Sequence, residues 1–262
     1  MKTSRWIALA LALSSFALLV QPALLPAQDS AAATAQAPAQ NVATTPVPRP
    51  GAWMQRHERI NSRAKAGDVD LLFIGDSITQ GWETAAPQGG KDVWAKYYGD
   101  RKAMNAGISG DQTQHVLWRM DNGNIDGIHP KLAVIMIGTN NVPERSQCSA
   151  DDIAAGIKGI IGRLREKLPE TKILLLAIFP RSDRAAENDA MKQKIDAVNQ
   201  TIAKLADGKM VYFMDINSKF LDADGKIPSD IMRDFLHPNA KGYEIWAEAI
   251  EPKVAELMGD KK

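Results

Sequence analysis

Five residues, far apart in the chain, have the types that acyl transfer at a serine requires. They are Ser77, Gly110, Asn140, Asp234 and His237. A hydroxyl is a poor nucleophile until a base takes its proton. Histidine has the pKa for that task near neutrality, and a carboxylate on its second ring nitrogen fixes the tautomer. Asp234 stands three residues before His237, so one turn of chain can join the two side chains. The developing oxyanion then needs fixed donors. The N–H of Ser77, the unhindered N–H of Gly110 and the Asn140 amide are suitable types. Taken singly, each residue has a plainer role. Ser77 reads as a helix N-cap, Gly110 as a turn glycine, Asn140 as an Asx-turn residue and His237 as a surface histidine.

What raises the set above its members is where the residues fall. Leu71–Thr79 is an apolar run that breaks at Gly75 and delivers Asp76-Ser77 at once. Leu132–Ile137 ends in Gly138-Thr139-Asn140-Asn141. Continuous apolar runs of this length suit strands buried on both faces. Strands are expected at Val69–Ile74, Leu132–Ile137, Lys172–Phe179 and Met210–Ile216, with a weaker one at Lys102–Asn105. Helical stripes lie between them, at Asp151–Leu168 with Ser149 as candidate N-cap, at Asp189–Leu205 and at Asn239–Met258. Alternation of this kind implies right-handed crossovers and a parallel α/β sheet with helices on both faces. Ligands collect at the carboxyl edge of such a sheet, which is where Ser77 and Asn140 fall.

In the order Gly-Asp-Ser-Ile-Thr, Gly110, Asn140, Asp-x-x-His, the chain resembles the SGNH (GDSL-type) hydrolase superfamily. More narrowly it is similar to the catalytic subunits of the intracellular platelet-activating-factor acetylhydrolases. That likeness rests on Trp53-Met54…His57, Asn105-Ala-Gly-Ile-Ser-Gly-Asp111, His115–Gly123, Gly138-Thr-Asn-Asn141, Phe179-Pro-Arg181 and Asp234-Phe-Leu-His-Pro238, and covers about residues 53–258. It implies a three-layer α/β/α flavodoxin-like fold with five parallel strands. It also implies Ser77 as nucleophile, His237 as base, Asp234 as orienting acid, and Ser77, Gly110 and Asn140 as the oxyanion hole. The change from Gly-x-Asn-Asp to Gly-Thr-Asn-Asn141 is shared with those subunits. Asp76, Asn141, His115 and Arg181 flank these positions and are candidate substrate contacts. Packing is the alternative role for His115, and structural ion pairing for Arg181. Trp82, Trp94, Tyr97 and Tyr98 are read either as a platform for acyl groups or sugars or as core. His57, in a polar helix-like stretch, is expected at the surface.

The rest of the sequence bounds the setting. Lys2 and Arg5 precede an apolar run from Trp6 to Val20. This has the form of a secretory signal peptide and is shorter than the ~20 residues that span a bilayer. Cleavage is expected after Ala27 or within Ala31–Ala35, with export to the periplasm or the exterior and no stable membrane insertion afterwards. An uncleaved anchor is the alternative. Removing two positive charges from the formal +1 leaves −1 for residues 28–262, a charge that excludes a dedicated nucleic-acid binder. Residues 28–52, rich in Ala, Gln, Thr and Pro, are expected as an extended linker, with the hydrolase domain at 53–262. Cys148 is the single cysteine and is expected as a free thiol in a loop. There is no Gly-x-Ser-x-Gly elbow, no His-Glu-x-x-His and no phosphate-binding loop, so no metal or cofactor is implied. Asp222-Ala-Asp224-Gly225 reads as a tight turn. The expected activity is an exported serine esterase acting on short, chiefly acetyl, esters of small molecules or glycans, and a homodimer is compatible with it. The alternatives are a lysophospholipase, thioesterase or lipid acetylhydrolase on the same machinery, and a non-catalytic carbohydrate-binding module.

Overall fold

Five consecutive apolar residues bury both faces of a pleated ribbon, so they are stable only in the middle layer of a sandwich. The computed structural model describes residues 41–182 and 189–260. Its strands are β1 (Leu71–Gly75), β2 (Ala103–Gly107), β3 (Leu132–Met136), β4 (Lys172–Leu176) and β5 (Val211–Met214). They form one sheet in the order β2-β1-β3-β4-β5, and all neighbours are parallel. This is the flavodoxin-like order, and the direction of winding reverses between β1 and β3. The helices are α1 (Ala52–Lys65), α2 (Ser77–Gln80), α3 (Lys91–Tyr98), α4 (Thr113–Asp121), α5 (Ala150–Lys167), α6 (Asp189–Ala203) and α7 (Ala240–Met258).

The period of two along each strand divides the core. Leu72 and Ile74 of β1 face the side covered by α1, α4, α5 and α6. Leu71 and Phe73 face the side covered by α3 and α7. In α5 the stripe Ile153, Ile157, Ile160, Ile161 and Leu164 is buried, at roughly 1.5–3 kcal/mol for each side chain. The capping box between Ser149 and Asp152 contributes about 1 kcal/mol. The stripe therefore decides which face of α5 turns inward, and the cap decides where the helix begins. Asn239 caps α7 in the same way by accepting from the Gly242 N–H at 3.0 Å.

Three expectations are corrected. The β4 run was expected to extend to Phe179, but the strand stops at Leu176. The Asn199 side chain takes both backbone groups of Ile178, accepting from its N–H at 2.8 Å and donating to its carbonyl at 3.0 Å. After a last ladder bond from the Ala177 N–H to the Met214 carbonyl at 2.9 Å, the chain stays buried through Phe179 with Ile178 bonded to the Asn199 side chain instead of a strand.

The second correction concerns residues 41–50, expected within a linker. They pack on the domain. Ala43 is fully buried, and its carbonyl accepts from the Thr113 hydroxyl at 2.8 Å. The Val47 N–H reaches the Gln114 carbonyl at 3.4 Å, and Arg49 Nη1 donates to the Ser109 carbonyl at 2.8 Å. Gly156 permits this approach, since a Cβ there would stand 2.7 Å from the Ala43 carbonyl oxygen. The folded part thus includes residues from 41 onward. The expected leader 1–27 and residues 28–40 lie outside the described residues.

The third is His57, which is buried. It stacks on Trp53 with ring centroids 5.7 Å apart and shares hydrogen bonds with the amides of Asn61 and Asn124, each at 3.0 Å. Cys148 is a free thiol, as expected, but it too is buried. The aromatic alternatives resolve toward core. Trp82 and Tyr98 are fully buried, and Trp94 and Tyr97 pack against the same cluster. Trp82, Trp94 and Tyr98 contact the Phe73 ring of β1.

Candidate active site

The chain leaves β1 at Gly75 and turns at once into α2, so Ser77 is the first residue of a helix whose N-cap is Asp76. Capping and nucleophile were rival roles for one serine in the sequence. The structure gives the cap to Asp76, whose Oδ1 accepts from the Ile78 N–H at 2.9 Å. The serine hydroxyl is free for another partner, and it lies 2.9 Å from His237 Nε2. His237 Nδ1 is 2.6 Å from Asp234 Oδ2. Asp234 Oδ1 accepts from the backbone N–H groups of His237 at 2.7 Å and Leu236 at 3.2 Å. Phe235, between acid and base, adopts a left-handed φ of 58°, and this tight turn makes the three-residue spacing work. Burial opposes charge on Asp234, but the bonds from the His237 side chain and from the two backbone N–H groups outweigh it and hold the carboxyl below its ordinary value. The side chains of His237 and Asp234 are 41% and 50% exposed, so this edge is open to solvent. Beside them a pocket of about 180 Å³ is lined by Pro87, Gln88, Ser229, Arg233, Asp234, His237 and Asn239.

The other wall comes from the turns after β2 and β3. Gly110 has φ +76°, a backbone state that L side chains rarely adopt. Among the described residues the N–H groups of Ser77 and Gly110 meet no acceptor. Asn140 is held from both ends. Its carbonyl accepts from Gln112 Nε2 at 2.8 Å, and its Nδ2 donates to the Asp111 carbonyl at 2.9 Å. The second amide hydrogen has only a long 3.5 Å contact to Asp76 Oδ2. Three N–H donors with spare capacity therefore come from three different turns on this side of the sheet. That is the arrangement a tetrahedral oxyanion needs.

The candidate substrate contacts divide. Asp76 and Asn141 are completely buried and have structural roles, so the expectation that they touch substrate is corrected. Asn141 Oδ1 accepts from the Thr113 N–H at 3.0 Å, and its Nδ2 donates to Gln114 at 3.1 Å. Burial, aided by the nearby Asp111 charge, pushes the Asp76 carboxyl up to about 7 against the backbone bond from Ile78. His115 caps α4 by accepting from the Gln112 N–H at Nδ1, 3.0 Å away. Burial, with the charges of Arg49 and Arg119, lowers its pKa to about 4, so it stays neutral near pH 7. Arg181 Nη1 donates to the Thr139 carbonyl at 2.9 Å and braces the turn that carries Asn140.

Sequence reasoning missed several supports. Asp111 is buried and held by Arg119 at 2.7 Å and by the Trp53 indole at 2.5 Å, which fixes the carbonyl that orients Asn140. Gln112 carries no chemical signature that could have marked it. Arg49 was hidden in a proline-rich stretch.

A family model described as GDSL-like lipase/acylhydrolase matches residues 73–245. The chain is 31% identical over 225 residues to the platelet-activating factor acetylhydrolase IB subunit alpha1 of Bos taurus, covering 84% of this chain and 91% of the relative. It is 33% identical over 210 residues to the alpha2 subunit of Rattus norvegicus, covering 79% and 85%. Among solved structures, a GDSL-like lipase from Bacteroides thetaiotaomicron superposes with a TM-score of 0.61 at 20% identity, covering 76% of this chain and 97% of that one. An acetylxylan esterase from Geobacillus stearothermophilus superposes with a TM-score of 0.55 at 23% identity, covering 73% and 94%. With the matched region running from β1 into α7, and so enclosing all five of Ser77, Gly110, Asn140, Asp234 and His237, the chain belongs to the GDSL-like lipase/acylhydrolase family of ester hydrolases.

Proposed function

We propose that this protein is an exported serine esterase that releases short acyl groups, chiefly acetate, from small-molecule or glycan esters. One observation carries the mechanism: the continuous line from Ser77 Oγ through the His237 imidazole to Asp234 Oδ2, with separations of 2.9 and 2.6 Å. His237 Nε2 takes the Ser77 proton as Oγ attacks the ester carbonyl. Asp234 holds the tautomer with the proton on Nδ1 and stabilises the imidazolium. The N–H groups of Ser77 and Gly110 and the weakly engaged hydrogen of the Asn140 amide receive the oxyanion. His237 then protonates the leaving alcohol, and water, deprotonated by the same imidazole, cleaves the acyl-enzyme and regenerates Ser77.

The short-acyl preference is supported by likeness to the platelet-activating factor acetylhydrolase subunits. Export is supported by Lys2, Arg5 and the apolar run that follows. Ser77→Ala is expected to abolish release of nitrophenol from p-nitrophenyl acetate, and labelling by a fluorophosphonate probe, while thermal melting stays unchanged. Wild-type turnover in that variant rejects the nucleophile. A series of nitrophenyl esters of rising chain length should peak at the short end; a maximum at long chains rejects the acyl preference. Mass spectrometry of the native protein from outside the cytoplasm should find an N-terminus near residue 28, and an intact, cell-retained chain rejects export.

A further inference from the structure

The reaction centre carries two positive charges that the triad does not use. Arg49 lies between Pro48 and Pro50 on the strap formed by residues 41–50. Proline fixes φ and removes much of the unfolded chain's freedom, so the strap presents Arg49 at low entropic cost. The guanidinium lies against Gly110. A Cβ at that glycine would stand 3.0 Å from both Nη1 and Nη2. Nη1 is spent on the Ser109 carbonyl at 2.8 Å, and Nη2 and Nε have no hydrogen-bond partner among the described residues. Arg233 lines the small pocket with Asp234 and His237. It is exposed and makes no hydrogen bond or ion pair among the described residues. One arginine thus stands at the oxyanion wall, and the other at the wall where His237 meets the leaving alcohol.

Among the described residues no neighbouring carboxylate hydrogen-bonds the free N–H groups of these two guanidiniums. Asp111 Oδ1 is 3.6 Å from Arg49 Nη1, but Arg119 already pairs with it at 2.7 Å. Asp234 keeps its negative charge, but both its oxygens are held by the His237 ring and the backbone N–H groups of Leu236 and His237, and neither pairs with Arg233. Asp230 pairs with Lys241. The buried Asp76 is capped by Ile78. Gln88, Ser229 and Asn239 complete the pocket with neutral side chains. A guanidinium with free N–H groups is suited to a carboxylate or phosphate.

We propose that Arg49 and Arg233 make this site selective for esters whose alcohol portion carries an oxyanion close to the acylated hydroxyl, as an O-acetylated uronic acid or sugar phosphate does. The proposal rests on the serine-esterase reading above. Exposed charge pairs are individually weak, so the two arginines together account for about a tenfold preference rather than a thousandfold one. It is expected in KM, since the anion takes no part in the bond changes and its charge is the same in ground and transition states.

The test uses two substrates that differ only in charge, an O-acetylated methyl uronoside and its uronamide. An acetylated sugar phosphate is the third arm, and acetate release is the readout. The wild type should favour the acid over the amide by about tenfold in kcat/KM at low salt, and less at high salt. Arg49→Gln and Arg233→Gln should each reduce that ratio, the double variant should bring it to parity, and Arg49→Lys should keep part of it. Equal use of acid and amide by the wild type, or survival of the preference in the double variant, overturns the proposal. A larger preference for the phosphate arm supports it and identifies the better oxyanion. If Arg49→Gln loosens the strap and lowers the melting temperature, Arg233→Gln carries the test, because that side chain has no hydrogen-bond or ion-pair partner among the described residues. Ser77→Ala separates the two failures. Charge-blind turnover that depends on Ser77 sinks only the selectivity, whereas turnover without Ser77 sinks the esterase reading itself.

Discussion

The Tyr243 hydroxyl donates to the Ile78 carbonyl at 2.6 Å across the domain interior. The bond ties the turn that carries Ser77 to α7, and the loop entering α7 carries His237. Ser77 and His237 come from segments 160 residues apart, and this buried contact helps to hold their separation. Tyr243→Phe leaves a buried carbonyl unpaired, at a cost of about 1–3 kcal/mol. The expected outcome is a lower urea midpoint together with a fall in kcat larger than any rise in KM for p-nitrophenyl acetate. An unchanged kcat would show that the Ser77–His237 distance is set elsewhere.

Asp234→Asn keeps the shape of the turn but removes the charge that selects the His237 tautomer. A loss in kcat on the order of 10³–10⁴ is expected, with little change in KM. Because the folded carboxyl is held below its ordinary value, its contribution to stability is present above the unfolded pKa of about 4 and is lost as pH falls through the folded value. Acid unfolding followed by fluorescence should therefore show a shallower low-pH decline in Asp234→Asn than in the wild type.

Asp76 has the opposite sign. Its pKa is raised from 3.8 to about 7, so between those values the native state keeps a proton that the unfolded chain gives up. The Asp76 contribution to stability therefore falls as pH rises from about 4 to about 7. Asp76→Asn retains an acceptor for the Ile78 N–H and removes the titration. The difference between the two melting curves should grow in favour of the variant across that window. Parallel curves would mean that Asp76 is ionised throughout.

Asn140→Ala removes the donor held between Gln112 and Asp111. The expected loss is ~10²–10³ in kcat, with fluorophosphonate labelling slowed and folding intact. Gln112→Ala, which frees the Asn140 backbone without deleting the amide, should cost less. Equal losses in the two variants would place Gln112 itself at the oxyanion.

Much of the site was legible because its signals are local. Gly75-Asp76-Ser77 marks the end of a buried strand, Asp234-x-x-His237 is a contact within one turn, and both follow from backbone geometry over a few residues. The substrate contacts were not legible. Asp76 and Asn141 have polar side chains next to the key residues in sequence, yet both point into the protein, because turns there need caps and the strand ends leave backbone donors to satisfy. His57 looked solvated from its polar neighbours, but its α1 face meets Asn124 and the Trp118 ring.

The sequence by itself determined the layered α/β architecture, since short apolar runs alternating with helical stripes suit central strands, and it supplied Ser77, His237, Asp234, Gly110 and Asn140 as the candidates for nucleophile, base, acid and oxyanion donors. Only the tertiary structure decided that Asp76 rather than Ser77 caps α2, that one amide hydrogen of Asn140 has only a long contact to Asp76, and that a proline-rich stretch lies over α4 and α5 with Arg49 against Gly110. The physical reason is range. Propensity and periodicity act over a few residues, whereas the partners of a polar side chain are set by whichever distant segment packing brings beside it.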